Sequence, residues 1–154
     1  MLATIVAMAI GASACSTGGG IKGIRMGVMS KSFIADIRGM VAPESAIIRE
    51  KYHHVRENWL DDSIIKGAMA ITIAYVAMYF ISGLLGSLYG YGFVQALFEG
   101  VSAGSNTGLS CGVTSPVMPW VMKSFYILFM WMGRLEFISV FALIGYGYSI
   151  VRGK

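Results

Sequence analysis

Residues 102–114 read Ser-Ala-Gly-Ser-Asn-Thr-Gly-Leu-Ser-Cys-Gly-Val-Thr, too polar and too rich in glycine for a membrane helix, yet apolar sequence flanks the run on both sides. The chemistry open to such a run is that of backbone carbonyls. Irregular backbone at membrane depth survives only where protein buries it or where it lines a wet cavity. A short helix running into such a loop is how ion filters replace an ion's hydration shell with carbonyl oxygens. Residues 91–102 supply the short helix, with Glu99 the one charge before Ser102. About 12 helical residues rise roughly 18 Å, against a bilayer core of roughly 30 Å, so this helix enters a membrane without crossing it. Its negative C-terminal end would face a cation. Composition alone is equally compatible with an ordinary extracellular loop.

Two other places could act on an ion. Arg134 and Glu136 interrupt an otherwise apolar stretch, and intramembrane charge normally faces a wet cavity or a partner. Two residues apart on a helix, they point about 200° from each other, so one can face a pore while the other faces protein. Buried salt bridges to other helices are the alternative for both. Residues 11–20 are the second place: Gly11, Ala12, Ser13, Ala14, Cys15, Ser16, Thr17, Gly18, Gly19 and Gly20 break an uncharged segment. Each glycine opposes helix by about 1 kcal/mol. A broken membrane helix and a close-packed small-residue patch both fit. The glycines lack Walker spacing and follow no strand, so a phosphate loop is a poor alternative.

Other candidates carry less. Cys15 and Cys111 stand apart in small-residue loops without a second cysteine at metal spacing, and read as small, buried residues. His53 and His54 are adjacent, so on a strand they would point to opposite faces. No basic cluster with interleaved aromatics suggests nucleic acid.

The elements that must hold these residues belong to a membrane protein. Of 154 residues, 56% are hydrophobic and 13% charged, with a mean hydropathy of +0.67, outside the range of soluble domains. Residues 2–10 read as helix, and helix resumes near Ile21, with Lys22 and Arg25 marking the exit to water. Residues 22–66 hold eight Lys or Arg and six Asp or Glu, which places this stretch in the cytoplasm. Within it, residues 30–40 suit an amphipathic helix, and residues 46–57 a short hairpin. Asp61, Asp62 or Ser63 can cap the next helix. Residues 67–88 are 22 without a charge, enough to span, with Tyr75 and Tyr79 as packing residues. Pro119 suits a first helical turn, and the final helix is expected to run over 119–151, about 50 Å if straight, so it must tilt, kink or project.

Three motifs stand in order: Ser16-Thr17-Gly18-Gly19-Gly20-Ile21-Lys22, Ser105-Asn106-Thr107-Gly108-Leu109-Ser110, and Gly133-Arg134-Leu135-Glu136. Together they resemble the TrkH/TrkG/KtrB family of potassium uptake proteins, and the resemblance covers the C-terminal part of a member. It implies an all-α membrane fold with a broken inner helix, then an outer helix, pore half-helix, filter loop and inner helix as in potassium channels. Residues 1–40 would end the third repeat's inner helix with its intramembrane gating loop, 41–62 would link, and 63–154 would form the fourth repeat. Carbonyls of Asn106, Thr107 and Gly108 would then coordinate potassium, the substrate. Gly18, Gly19, Gly20 and Arg134 would gate. The resemblance implies no cofactor in this chain. Its implied partners are the remaining pore repeats, on the same full-length chain or a neighbouring chain, a second full-length subunit, the lipid bilayer and a cytoplasmic RCK-type nucleotide-binding ring like TrkA or KtrA. It places the protein in the plasma membrane as a multi-pass protein, with 22–66 and the C-terminus cytoplasmic. Channel and cation-coupled mechanisms stay open, as does a scaffold without transport of its own. A membrane enzyme is the weakest reading, because neither cysteine has an evident His or acid partner.

Overall fold

The computed structural model describes residues 1–11, 18–41, 51–54, 56–59 and 62–153. Six helices and one short hairpin follow in order: α1 Leu2–Ile10, α2 Gly23–Val41, β1 Lys51–His54, β2 Arg56–Trp59, α3 Asp62–Leu88, α4 Phe93–Ser105, α5 Trp120–Leu135 and α6 Phe137–Val151. The fold is that of an all-α membrane protein, with the antiparallel β1–β2 pair as its one sheet among the described residues. The hairpin expected over 46–57 thus forms slightly later, and its first strand ends in the adjacent His53 and His54. Of the small-residue loop, 12–17 lie outside the described residues, Cys15 among them.

α3 is the long span. Its 27 residues rise about 40 Å, and Asp62 opens its first turn, where a negative charge suits the helix dipole. Among the described residues it is the single helix long and apolar enough to cross a membrane by itself. One face buries Ala68, Ile71, Tyr75, Tyr79, Ser82, Gly83 and Gly86, at the three- and four-residue steps of a helix. The opposite face exposes Ile73, Val76, Phe80 and Leu84. A helix apolar on all sides but buried on one fits lipid on the other.

α4, 13 residues long, packs chiefly against α3, then α5 and α1. Its C-terminal residues, from Phe98 to Ser105, are all buried. Small residues let the neighbours approach the backbone, as in membrane helix pairs. A Cβ on Gly100 would collide with Ser82, one on Gly104 with the Phe129 ring, and one on Gly86 with Ala96. Ser82 Oγ also donates to the Ala96 carbonyl at 2.9 Å. Tyr75, Tyr79, Phe129 and Phe137 form an aromatic core with ring centroids 4.6–5.9 Å apart, so both tyrosines do pack.

The last helix departs from expectation. It is not one rod over 119–151 but breaks at Glu136, and α5 and α6 meet at 101°. Glu136 has φ 64°, a conformation uncommon for a residue with a Cβ. Neither Pro nor Gly sits at the break. Glu136 leaves the helical path because its carboxylate is held by another segment, a contact that helix propensity does not register.

Candidate functional site

α4 stops abruptly, and its stop is made of backbone. Asn106 turns into the left-handed region at φ 56°. The Asn106 N–H donates to Ala103 O at 3.2 Å and the Thr107 N–H to Ser102 O at 3.1 Å, the paired bonds of a Schellman ending. Thr107 Oγ1 lies 3.2 Å from both Ser102 Oγ and Ser105 Oγ. Gly108 follows at φ 77°, where a side chain would be strained. Residues 106–112 are exposed.

The return limb of the loop is tied to α4 by one carboxylate. Glu99, 4% exposed, accepts at Oε1 from the Ser110 hydroxyl at 2.6 Å and from the N–H groups of Cys111 at 3.0 Å, Val113 at 3.2 Å and Thr114 at 3.3 Å. Its Oε2 accepts from the Thr114 hydroxyl at 2.7 Å. The Gly112 N–H donates to Ser110 Oγ at 3.1 Å, so four successive amides converge on Glu99 directly or through one hydroxyl. Glu99, Asn106, Gly108, Ser110, Thr114 and Lys123 are among the residues lining a cavity of about 440 Å³ beside the loop.

A second junction lies where the small-residue loop ends. The Gly19 N–H donates to Ser105 O at 2.9 Å, and Ile21 N–H to Ala9 O at 3.1 Å. A Cβ on Gly19 or on Gly133 would lie well inside contact distance of the Gly104 carbonyl. Three glycines from three segments therefore meet at the C-terminal end of α4. Immediately after them, Glu136 is ion-paired with Lys22, and with Arg25 at 2.5 Å. The Tyr75 hydroxyl, 3.5 Å from Gly133 O, closes the junction from α3.

Residues 1–144 match the family described as TrkH, cation transport protein. The chain belongs to the TrkH family. A relative from Methanocaldococcus jannaschii, described as an uncharacterized cation transporter, is 36% identical over 139 residues. That alignment covers 90% of this chain and 29% of the relative, so the chain spans less than a third of the protein it matches.

In this TrkH-family chain the expected filter residues Asn106, Thr107 and Gly108 are contiguous at the end of the half-helix, but they differ in character. Asn106 is the helix stop, with its side-chain amide 3.5 Å from Met130 O, whereas Thr107 and Gly108 begin the loop proper. Gly19 and Gly20 are buried and docked against α4 and α1, so in this conformation they form the close-packed arrangement that composition left open. Arg134 lies exposed in the last turn of α5. Lys22 was expected to mark the exit to water. It is instead 9% exposed, because Glu136 receives its ammonium. Cys111 was expected to be buried and is exposed, with Sγ 3.4 Å from Gln95 O. Glu99 was noted as a lone charge in an apolar helix. Its role as the hub of the loop escaped the sequence reading, although a single carboxylate in a half-helix, 11 residues before a run of hydroxyls and glycines, is a usable signal.

Proposed function

We propose that this chain supplies one quarter of a potassium path through the plasma membrane, with the loop at Thr107 and Gly108 as its share of the selectivity filter. The observation that carries the reading is the end of α4. A helix too short to span stops inside the fold and hands directly to exposed, non-helical backbone, with its negative dipole end at that point. Carbonyls of residues 106–108 then stand where a partly dehydrated cation would need them. Inside of the filter, the loop end at Gly18, Gly19 and Gly20 and the Arg134 guanidinium oppose passage. Transport rather than catalysis is the role, and potassium is cargo, not a cofactor.

The rest of the pore comes from the other repeats of the full-length protein, which pairs with a second subunit. α2 and the hairpin, with the C-terminus, face the cytoplasm and offer basic residues to an RCK-type nucleotide-binding ring. The test is potassium-limited growth of a bacterium stripped of its own potassium uptake and expressing the full-length protein. Rescue that Gly108→Ser retains only when sodium is kept low supports the reading. A correctly inserted protein that gives no rescue supports the scaffold role instead.

A further inference from the structure

We infer that Glu99 is a positioning residue for selectivity, one that never touches the ion but anchors the return limb at 110–114 that follows the filter backbone at 106–108. The inference rests on the filter reading above and adds to it a residue outside 106–108. Its basis is the direction of peptide groups. In a trans peptide the N–H of one residue and the C=O of the residue before it point in opposite ways, and no cis bond occurs among the described residues. With the N–H groups of Cys111, Val113 and Thr114 on Glu99 Oε1, the carbonyls of Ser110, Gly112 and Val113 are turned away from α4. One side chain thus sets the face that the return limb presents.

The donor set shows why a carboxylate is needed. Oε1 has four donors within 3.3 Å and Oε2 a fifth. An amide oxygen is a weaker acceptor than a carboxylate oxygen, and hydrogen bonds to a charged acceptor are roughly twice as strong. The amide nitrogen of a glutamine cannot accept at all. Among the described residues all five donors to Glu99 are neutral, so its negative charge stays beside the loop. Glu99 is also deep in α4, whose C-terminal half is packed on every side, which gives the strap a fixed anchor. A loop held in this way keeps its carbonyl spacing when a smaller cation enters, and that rigidity is what discriminates by size.

The experiment compares permeability ratios for potassium and sodium, from reversal potentials, in the full-length protein and its variants, with thermal unfolding on the same preparations. Glu99→Gln is expected to lower the ratio about ten-fold, the equivalent of losing one charge-assisted bond. Thr114→Val keeps the shape, removes one hydroxyl donor and should lower the ratio about two- to five-fold, whereas Thr114→Ser should retain it. Gly108→Ser serves as the test of the filter itself. If Gly108→Ser lowers the ratio while Glu99→Gln and Thr114→Val leave it unchanged, Glu99 does not position the filter, and the filter reading stands. If all three leave it unchanged, the filter reading fails and this inference with it. A fall in current for both ions at a constant ratio in Glu99→Gln would make Glu99 a fixed charge and overturn the positioning role. Should Glu99→Gln not assemble, the Thr114 pair decides alone.

Discussion

Two carboxylates of this chain, the buried Glu99 and the part-exposed Glu136, are satisfied in opposite ways. Glu99 is surrounded by neutral donors, namely three amides and two hydroxyls, and it keeps its charge. Glu136 meets two cations, Lys22 and Arg25, so this three-charge group is net positive. The first environment suits a cation and the second repels it. The difference also separates shaping from clamping. Dipoles gathered on Glu99 give a loop its form, whereas the ion pair at Glu136 joins segments more than 100 residues apart in sequence. Between the two regions lies the end of α4, where Gly19, Gly104 and Gly133 meet.

The largest expected effect comes from breaking the clamp. Glu136→Ala leaves the buried Lys22 and the part-buried Arg25 without a counter-charge, and because the carboxylate is 30% exposed the cost lies at or below the lower end of the about 3–5 kcal/mol of a fully buried pair. Thermal unfolding of the purified full-length protein should show that loss, whereas Thr114→Val at the Glu99 carboxylate should cost about 1 kcal/mol. Equal losses at the two sites would erase the contrast. Next comes the glycine junction. Gly133→Ala forces a Cβ onto the Gly104 carbonyl, and overpacking of this kind costs about 1–3 kcal/mol. Basal cation flux should rise as the docked loop is displaced. Unaltered flux in a measurably destabilised protein would make the junction mere packing.

Arg134→Ala sharpens the electrostatic side of the contrast. Removing the guanidinium should raise basal flux about ten-fold, equivalent to a barrier lowered by ~1.4 kcal/mol. Because Arg134 is exposed, its contacts are screened by solvent, and stability should fall by no more than about 1 kcal/mol. A large loss of stability with flux unchanged would identify it as a structural ion-pair partner instead. The smallest perturbation uses Cys111, which is exposed beside the loop. In a Cys15→Ser background, a membrane-impermeant maleimide should label it from the outside of intact cells. Labelling confined to inverted vesicles would reverse the orientation proposed for both regions.

The Glu99 region was largely legible in the sequence. Polarity and glycine content marked 102–114 as non-helical, the charge-free run marked the α3 span, and the length of the intervening helix marked α4 as too short to cross. The Glu136 region was less so. Nothing local at Glu136 signals a break, since Leu135, Glu136 and Phe137 are neither glycine nor proline. The bend exists because a carboxylate on one segment meets cations from another, and local periodicity carries no record of that meeting. The burial of Lys22 has the same origin, and a lysine after an apolar segment ordinarily marks water. Likewise, the glycines at 19, 104 and 133 could be recognised as small residues, but not as residues that meet one another. Glu99 was visible and its consequence was not, because its partners are mostly backbone amides, which every residue type but proline provides.

The central claim is that the backbone after α4 selects the ion, and the most direct measurement is the potassium-to-sodium permeability ratio of Gly108→Ser in the full-length protein. Gly108 has open space around it but φ 77°, so a serine there fits sterically and strains the backbone, at a cost of about 1–2 kcal/mol. The expected result is a normally assembled protein whose ratio falls about ten-fold, with current retained. An unchanged ratio in a normally assembled protein would contradict the claim.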